Sequence, residues 1–391
     1  MRVLCGTVLV AAALSLISGA PARAALPCVT GSAQAGTLTY PGDLAEWMSC
    51  MYPRGSGDEW TQQLGTITMP GSHNAGTHAL YSSEATAFDY ATRCSSPVDL
   101  VAQGAKWVSR QWAMTQTLAL SGQAAVGSRW FDLTGIWDHG EWRACSGLVT
   151  DRWDRIVSDL VSFHGDHPDE VLVIDVSRMF DALDDTNTVA LATALAPMCR
   201  DAVAQTAAPT ASGDPSRITI HQARAAGGFV IQMTDAPSDF RGYAQFTAWL
   251  GAHREDPCAG RIWSREATST HRDPRPNANL WVNRRHPPRA AGHLIDWQAR
   301  HLVNTHGSFQ VAQYTWDFSG PTTRLPYQIW LMNHWLVDYN QVLARDASRL
   351  AQRLGARECA VHAHGAVVLM DNIAQPRQAR RLVALNEAAC P

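Results

Sequence analysis

The chain has 391 residues, of which 46% are hydrophobic, and this is ample for one large core. Its formal net charge is −3 at pH 7 and it contains no run of basic residues, which argues against a nucleic-acid partner and a polybasic membrane anchor. After residue 24, no segment reaches the roughly 18 consecutive apolar residues of a membrane span.

The first 24 residues have the pattern of an export signal. Arg2 provides a positive start, Val8 to Ile17 form an apolar run too short for a stable anchor, and Ala22-Arg23-Ala24 is a small-x-small cleavage site. We therefore expect residues 1–24 to be removed and the protein to be secreted or periplasmic.

The cysteines support export. Cys5 lies in the signal, and the other eight of the nine cysteines follow it: Cys28, Cys50, Cys94, Cys145, Cys199, Cys258, Cys359 and Cys390. An even number in an exported chain predicts up to four disulfides, whose pairing stays open among about 105 arrangements. Residues 25–59, with Cys28 and Cys50, are predicted to be an N-terminal extension stapled to a domain of residues 60–391.

Short apolar runs alternate with amphipathic stretches along that domain, which predicts an α/β fold with a parallel sheet. The predicted strands, in chain order, are Gly65–Met69, Arg129–Leu133, Trp142–Cys145, Val171–Val176, Phe229–Met233, Arg261–Trp263, Gln310–Tyr314 and Ala366–Met370. The predicted helices are Arg152–Phe163, Thr188–Val203 and Gln341–Leu354. About eight strands favour a closed, distorted TIM (β/α)8 barrel, whose active site lies at the carboxyl ends of the strands.

Three chemically rich residues follow or end predicted strands. His73 lies in the segment Ile67 to Thr77, where Pro-Gly is predicted to turn the chain and present an imidazole that can act as a general base. Asp132 closes the segment Gln123 to Leu133, and Asp371 follows the last predicted strand.

These segments, together with His167-Pro168-Asp169-Glu170 before an apolar strand, resemble the catalytic region of the phosphatidylinositol-specific phospholipase C family. The resemblance covers residues 60–178 closely and 225–390 loosely. It implies a PLC-like phosphodiesterase barrel that cleaves an inositol lipid by attack of the inositol 2-hydroxyl. In that family pattern His73 is the general base and Asp371 is the carboxylate that orients it. Asp132 is the carboxylate that assists the general acid, a second histidine.

The chain departs from the family where positive charge or calcium should act. Metal-independent members have an arginine where Thr134 stands, and calcium-using members have acids at the places of Thr134 and Ser177. Asn74 and Asp132 match two calcium ligands, whereas calcium usually takes six to eight oxygens. We therefore expect no cofactor, with Ca²⁺ as the alternative.

The arginines that could replace the missing positive charge are Arg129, Arg143 and Arg178. Alternation turns Arg129 away from Asp132, which makes it the weak candidate.

The second catalytic histidine has two candidate places. The matching position is Ser146, whose hydroxyl is a poor acid near neutral pH. His139-Gly140 lies seven residues earlier as an alternative, and its composition favours a tight turn between two strands. His139 as acid favours an enzyme; Ser146 at that position favours a protein that binds a head group without turnover.

The predicted substrate contacts are therefore Asn74, Thr134, Ser146, Arg178 and, by stacking of its ring, Trp316. A phospholipid or inositol phosphate, met transiently at a membrane surface by a monomer, is the expected partner. A calcium-dependent glycerophosphodiesterase-like barrel is a third interpretation, and it too lacks the carboxylates.

Overall fold

The computed structural model describes residues 44–81, 115–146, 148–180, 183–207, 214–233, 242–264, 271–272, 310–314 and 366–370, and positions 373, 379, 380, 382, 383 and 386. The helices are α1 Trp47–Met51, α2 Gly57–Thr61, α3 Leu120–Ala125, α4 Trp153–Asp166, α5 Asp185–Arg200, α6 Ile220–Ala226 and α7 Gly242–Ala252. The strands are β1 Thr68–Ser72, β2 Trp130–Asp138, β3 Glu141–Ser146, β4 Leu148–Arg152, β5 Leu172–Met179, β6 Phe229–Met233, β7 Ile262–Ser264, β8 His271–Arg272, β9 Gln310–Tyr314 and β10 Ala366–Met370.

Eight strands follow one another through parallel pairs in the order β7-β6-β5-β2-β1-β10-β9-β8. β1 and β10, which are the first and the last strand in the amino-acid sequence, are therefore neighbours in space, as the predicted (β/α) barrel requires. Within the described residues β7 and β8 are the two ends of the path. β3 and β4 lie off it, as an antiparallel meander on the extended end of β2.

Each predicted strand has an observed counterpart, and three of them, β6, β9 and β10, have the predicted bounds, whereas β4 and β8 were not predicted. The prediction for β1 is wrong at its start, because Leu64–Thr66 is a 3₁₀ turn and the strand begins at Thr68. The predicted turn at Pro70-Gly71 is also wrong, since both residues lie inside β1. A Cβ at Gly71 would lie 2.7 Å from Leu369 Cδ2, so glycine is what lets β10 approach.

The helix predictions hold for α4 and α5, with shifted ends. α5 begins three residues earlier than predicted because Asp184 and Asn187 form a reciprocal capping box around its first turn. The predicted helix Gln341–Leu354 lies outside the described residues.

Alternation along the strands divides the core into an inner and an outer layer. On β2, Trp130 belongs to the inner cluster, and Phe131 and Leu133 belong to the outer cluster under the helices. Burial of each such side chain contributes about 1.5–3 kcal/mol. Asp132 therefore shares the inner face with Trp130.

The N-terminal helix α1 packs on the inner cluster through Trp47 and Met48. Arg129 and Glu170 fix this contact: both are buried, their Nη2 and Oε2 atoms are 2.5 Å apart, and Glu170 accepts the backbone N–H groups of Met48 and Ser49. Arg129 is thus a structural cation, as its predicted orientation away from Asp132 requires.

A disulfide joins Cys199 at the end of α5 to Cys258 before β7, and Cys50 and Cys145 are also disulfide-bonded. Cys28, Cys94, Cys359 and Cys390 lie outside the described residues, so full oxidation stays a prediction. No helix in the described part of the chain is both long and apolar enough to cross a membrane.

Candidate active site

His73 follows β1 directly, and its backbone is held on two sides. Its N–H donates to Met370 O of β10 at 3.2 Å. Its carbonyl accepts Thr115 Oγ1 at 2.8 Å and Gln116 Nε2 at 3.1 Å. The imidazole is therefore presented from a fixed backbone at the carboxyl edge of the sheet, with 16% of the side chain exposed.

Asn74 links His73 to Ser146. Its side-chain amide lies 3.1 Å from His73 Nε2 and donates to Ser146 Oγ at 3.2 Å. An Asn Nδ2 is a donor, so this contact suits the tautomer of a neutral imidazole in which Nε2 carries the lone pair. Asn74 has a φ of 43°, a left-handed conformation that asparagine tolerates better than most residues.

Asp132 is completely buried on the inner face of β2. Its Oδ2 accepts the Asn74 backbone N–H at 3.4 Å and lies 3.9 Å from His73 Nε2. The carboxylate thus holds the turn that carries His73 and lies beside its imidazole.

A second buried carboxylate lies beside Asp132. Asp175 of β5 is in register with Asp132 and with Gln232 of β6, and Gln232 Nε2 donates to Asp175 Oδ1 at 3.1 Å. The sequence analysis did not single out Asp175 or Gln232. Their signal was a polar residue at an inward position of an otherwise apolar strand.

The structure separates the two candidates for the second histidine position. Ser146, at the end of β3, lies in the cluster through its bond with Asn74. His139 lies with Gly140 at the turn between β2 and β3, its side chain is 76% exposed, and its Nδ1 is 2.9 Å from Asp138 Oδ2.

An extended strand advances about 3.3 Å per residue, so the six residues from Asp132 to Asp138 span about 20 Å. The structure therefore does not bring His139 to His73, and the turn interpretation describes its surroundings.

Three further predicted residues lie in the described part of the chain: the substrate contacts Thr134 and Arg178, and the candidate cation Arg143. Thr134 is buried and its hydroxyl donates to Cys145 O. Arg143 contacts Glu141 and the carbonyl of Thr150. Arg178 is exposed at the end of β5.

Asp371 and Trp316 lie outside the described residues. Met370 and Ile373, on either side of Asp371 and Asn372, are described: Met370 O accepts His73 N–H, and Ile373 N–H donates to Gln116 Oε1 at 3.1 Å.

Gln116 is a site residue that the sequence analysis missed. Its buried amide donates to Met370 O at 2.8 Å as well as to His73 O, and accepts from Ile373 N. It therefore joins the loop of the candidate base to the end of the last strand. A buried glutamine in a connection gives no periodic signal, because its partners are backbone atoms of distant segments.

Two of the predicted calcium ligands, Asn74 and Asp132, are adjacent in the structure. Among the residues that the structure describes, no three histidine, cysteine, aspartate or glutamate side chains are grouped to hold a metal ion. Two protein oxygens fall short of the six to eight that calcium takes.

By sequence, no protein-family profile and no curated protein matches the chain. By structure, it is similar to the phosphatidylinositol-specific phospholipase C from Listeria monocytogenes, with a TM-score of 0.54 and 12% identity over 88% of this chain and 98% of that one. A pentafluoro-Phe-substituted phosphatidylinositol-specific phospholipase C from Staphylococcus aureus has a TM-score of 0.48 and 14% identity over 88% of this chain and 98% of that one. The likeness to the Listeria enzyme shows that the chain shares its fold. Within this fold His73 directly follows β1, and Asp132 lies on β2 level with the end of β1.

Proposed function

We propose that the protein is a phospholipase C-like phosphodiesterase that cleaves the head-group phosphodiester of a phosphoinositide-like lipid. The observation that carries this proposal is the cluster of His73, Asn74, Asp132 and Ser146 at the edge of the sheet where (β/α) barrels place their chemistry. The fold shared with a phosphatidylinositol-specific phospholipase C supports the substrate class.

In the proposed reaction His73 Nε2 takes the proton of the inositol 2-hydroxyl while that oxygen attacks phosphorus and the bond to the glycerol oxygen breaks. Asp132, with its Oδ2 3.9 Å from Nε2, stabilises the imidazolium that forms. Asp371 would orient the ring through Nδ1, and the hydrogen bonds of Met370 and Ile373 beside it support that role.

The departing glycerol oxygen also needs a proton. Ser146 Oγ occupies the place next to Asn74, and its hydroxyl can pass on a proton from water but cannot supply one as an imidazolium does. The proposal therefore includes weak acid assistance. It predicts a marked preference for substrates whose leaving group needs little protonation.

The test is His73→Ala assayed on phosphatidylinositol vesicles and on a nitrophenyl inositol phosphodiester. We expect kcat to fall by about 10²–10⁴-fold on both, because the general base is lost. His139→Ala removes one imidazole from the exposed turn, and we expect it to retain the parent rate on both substrates. A His73→Ala variant as active as the parent protein would place the base elsewhere, and a selective loss on the lipid in His139→Ala would restore the acid role of His139.

A second function is a barrel that binds the head group without turnover, and the observation that favours it is the serine rather than histidine beside Asn74. Calorimetry with myo-inositol 1-phosphate, alongside the activity assay on the parent protein, separates the two. Binding without cleavage of either substrate supports the binder. Cleavage that needs His73 supports the enzyme.

In either case we propose an exported monomer that meets its lipid transiently at a membrane surface. The export pattern of residues 1–24 and the eight following cysteines support this setting.

A further inference from the structure

A phosphodiester carries negative charge that increases on its equatorial oxygens during transfer, and preorganised cations stabilise it. Of the clustered side chains, Asn74, Ser146 and Thr134 are neutral and Asp132 is acidic. His73 becomes positive only after it has taken a proton. The proposed site therefore needs a permanent cation from a neighbouring element.

The neighbouring strand β5 has an irregular register at this level. Leu133 of β2 pairs with Val176, but the next residue, Thr134, pairs with Arg178, so Ser177 is an extra residue in β5. Such a bulge interrupts the alternation of side chains and re-aims the residues that follow it. Without the bulge, Arg178 would point to the outer face, as Val176 does.

The packing around Arg178 identifies the face to which it is turned. Val176 and Met179 both belong to the outer cluster although they are three residues apart, which regular alternation does not allow. Arg178 must therefore lie on the other side, the side of Thr134.

Phe180 gives independent evidence for the same face. It packs against Ile136 and Cys145, and Ile136 is two residues after Thr134 on β2. The Arg178 guanidinium carbon lies 5.7 Å from the Phe180 ring centroid. Cys145 also accepts the Thr134 hydroxyl and precedes Ser146.

We propose that Arg178 binds the phosphate of the substrate from β5, with the bulge at Ser177 turning it toward Thr134 and the Asp132 cluster. Neighbouring strands are about 4.8 Å apart, so an arginine side chain at position 178 reaches the space above Thr134. A guanidinium matches phosphate oxygens with paired N–H donors. The inference rests on the proposed function, and it deepens that function by assigning its phosphate-binding residue.

The test compares binding of myo-inositol 1-phosphate and of uncharged myo-inositol by calorimetry. We expect Arg178→Ala to weaken binding of the phosphate by about 10–100-fold, the value of one charge-assisted contact, and to leave binding of myo-inositol unchanged. Arg200→Ala, at the exposed end of α5, is the matched control and keeps both affinities.

Relocating the charge tests the register argument directly. Because Thr134 and Arg178 are paired, Thr134→Arg combined with Arg178→Ala returns a guanidinium to the same space, and we expect it to recover phosphate affinity. Parent-like phosphate affinity in Arg178→Ala would overturn the inference. So would a double variant that melts at the parent temperature but binds phosphate as weakly as Arg178→Ala.

The two proposals fail separately. A parent protein that binds inositol phosphate through Arg178 but cleaves no phosphatidylinositol overturns the enzymatic function and supports the inference. A parent protein that cleaves phosphatidylinositol at a rate unchanged by Arg178→Ala supports the enzyme and overturns the inference.

Discussion

Gln116 shows how one residue joins the ends of β1 and β10, the first and the last strand in the sequence. It is the common partner of His73 O, Met370 O and Ile373 N. Thr115 Oγ1 also donates to His73 O, and His73 N–H also donates to Met370 O, whereas the Ile373 N–H depends on Gln116. The loop on either side of Asp371 is thereby tied to the candidate base.

We expect Gln116→Leu to lower the free energy of unfolding by about 1–3 kcal/mol, the cost of leaving one buried donor unsatisfied. We expect a larger effect on kcat, of up to about 10²-fold, because a displacement of about 1 Å at the site has that cost. The measurements are urea unfolding and a pH–rate profile, which shifts if the orientation of His73 changes.

Gln123→Leu is the matched control for this variant. Gln123 is also buried and donates to two carbonyls, those of Ala75 and Leu118, but not to β10. A Gln116→Leu variant that loses rate only in proportion to its loss of stability, as Gln123→Leu does, would make Gln116 a purely structural residue.

At the residue scale the sequence pointed to His73 and Asp132 from the short apolar runs before them. In the structure His73 directly follows β1, whereas Asp132 lies inside β2, level with the end of β1. Ser146 and His139 could not be separated in this way, because the choice depends on how far β2 continues. β2 runs to Asp138, and Asp138-His139-Gly140-Glu141 then forms the hairpin turn, with positive φ at His139 and Gly140.

At the scale of elements, the bulge in β5 is the feature that the alternating pattern could not reveal. The run from Val171 to Val176 reads as a regular strand, and the extra residue becomes visible only through its pairing with β2. The Gly227-Gly228 turn between α6 and β6 is a second such feature. Its requirement for glycine comes from residues distant in sequence.

Gly228 has a φ of 91°, and a Cβ there would lie 2.1 Å from His164 Nε2 and 3.0 Å from Glu170 O. We expect Gly228→Ala to lower the free energy of unfolding by about 2–5 kcal/mol, from the left-handed conformation and from overpacking. The measurement is the urea unfolding midpoint together with its slope.

Gly140→Ala isolates the backbone part of this cost. Gly140 has a φ of 82°, but a Cβ there would meet nothing within 4 Å, so we expect a loss of about 1–2 kcal/mol. Equal losses in the two variants would show that the contact with His164 costs nothing.

At the scale of the whole molecule, the fold could be predicted because seven of the eight strands on the described path carry their own apolar signal. β8, His271–Arg272, carries none and was not predicted. The sequence also indicated that β1 and β10 meet, since barrel closure pairs the first and last strands. It indicated β3 through the run Trp142–Cys145, but not β4 or the departure of this meander from the barrel order. It also did not indicate the attachment of α1 through Arg129 and Glu170. Those contacts depend on single buried pairs, for which no repeating pattern exists.

Two histidines, the buried His164 and the half-buried His78, connect the fold to pH. Burial lowers the pKa of His164 below its ordinary value of 6.5, although Asp201, Glu170 and Asp169 oppose this shift. Burial likewise lowers the pKa of His78, against the opposing effect of Asp151 and Asp159. In the unfolded chain both side chains bind protons more readily than in the folded protein.

The free energy of unfolding should therefore be at its full value above the unfolded pKa and fall as the pH decreases through and below it. Each histidine contributes at most about 1.4 kcal/mol per pH unit to the change in the free energy of unfolding with pH. We expect urea unfolding between about pH 7 and about pH 5.5 to show this loss, and the variants His164→Gln and His78→Asn each to reduce its slope by up to one proton. A protein that becomes more stable over this range, or variants that keep the parent slope, would show that these histidines are not the groups that link folding to pH.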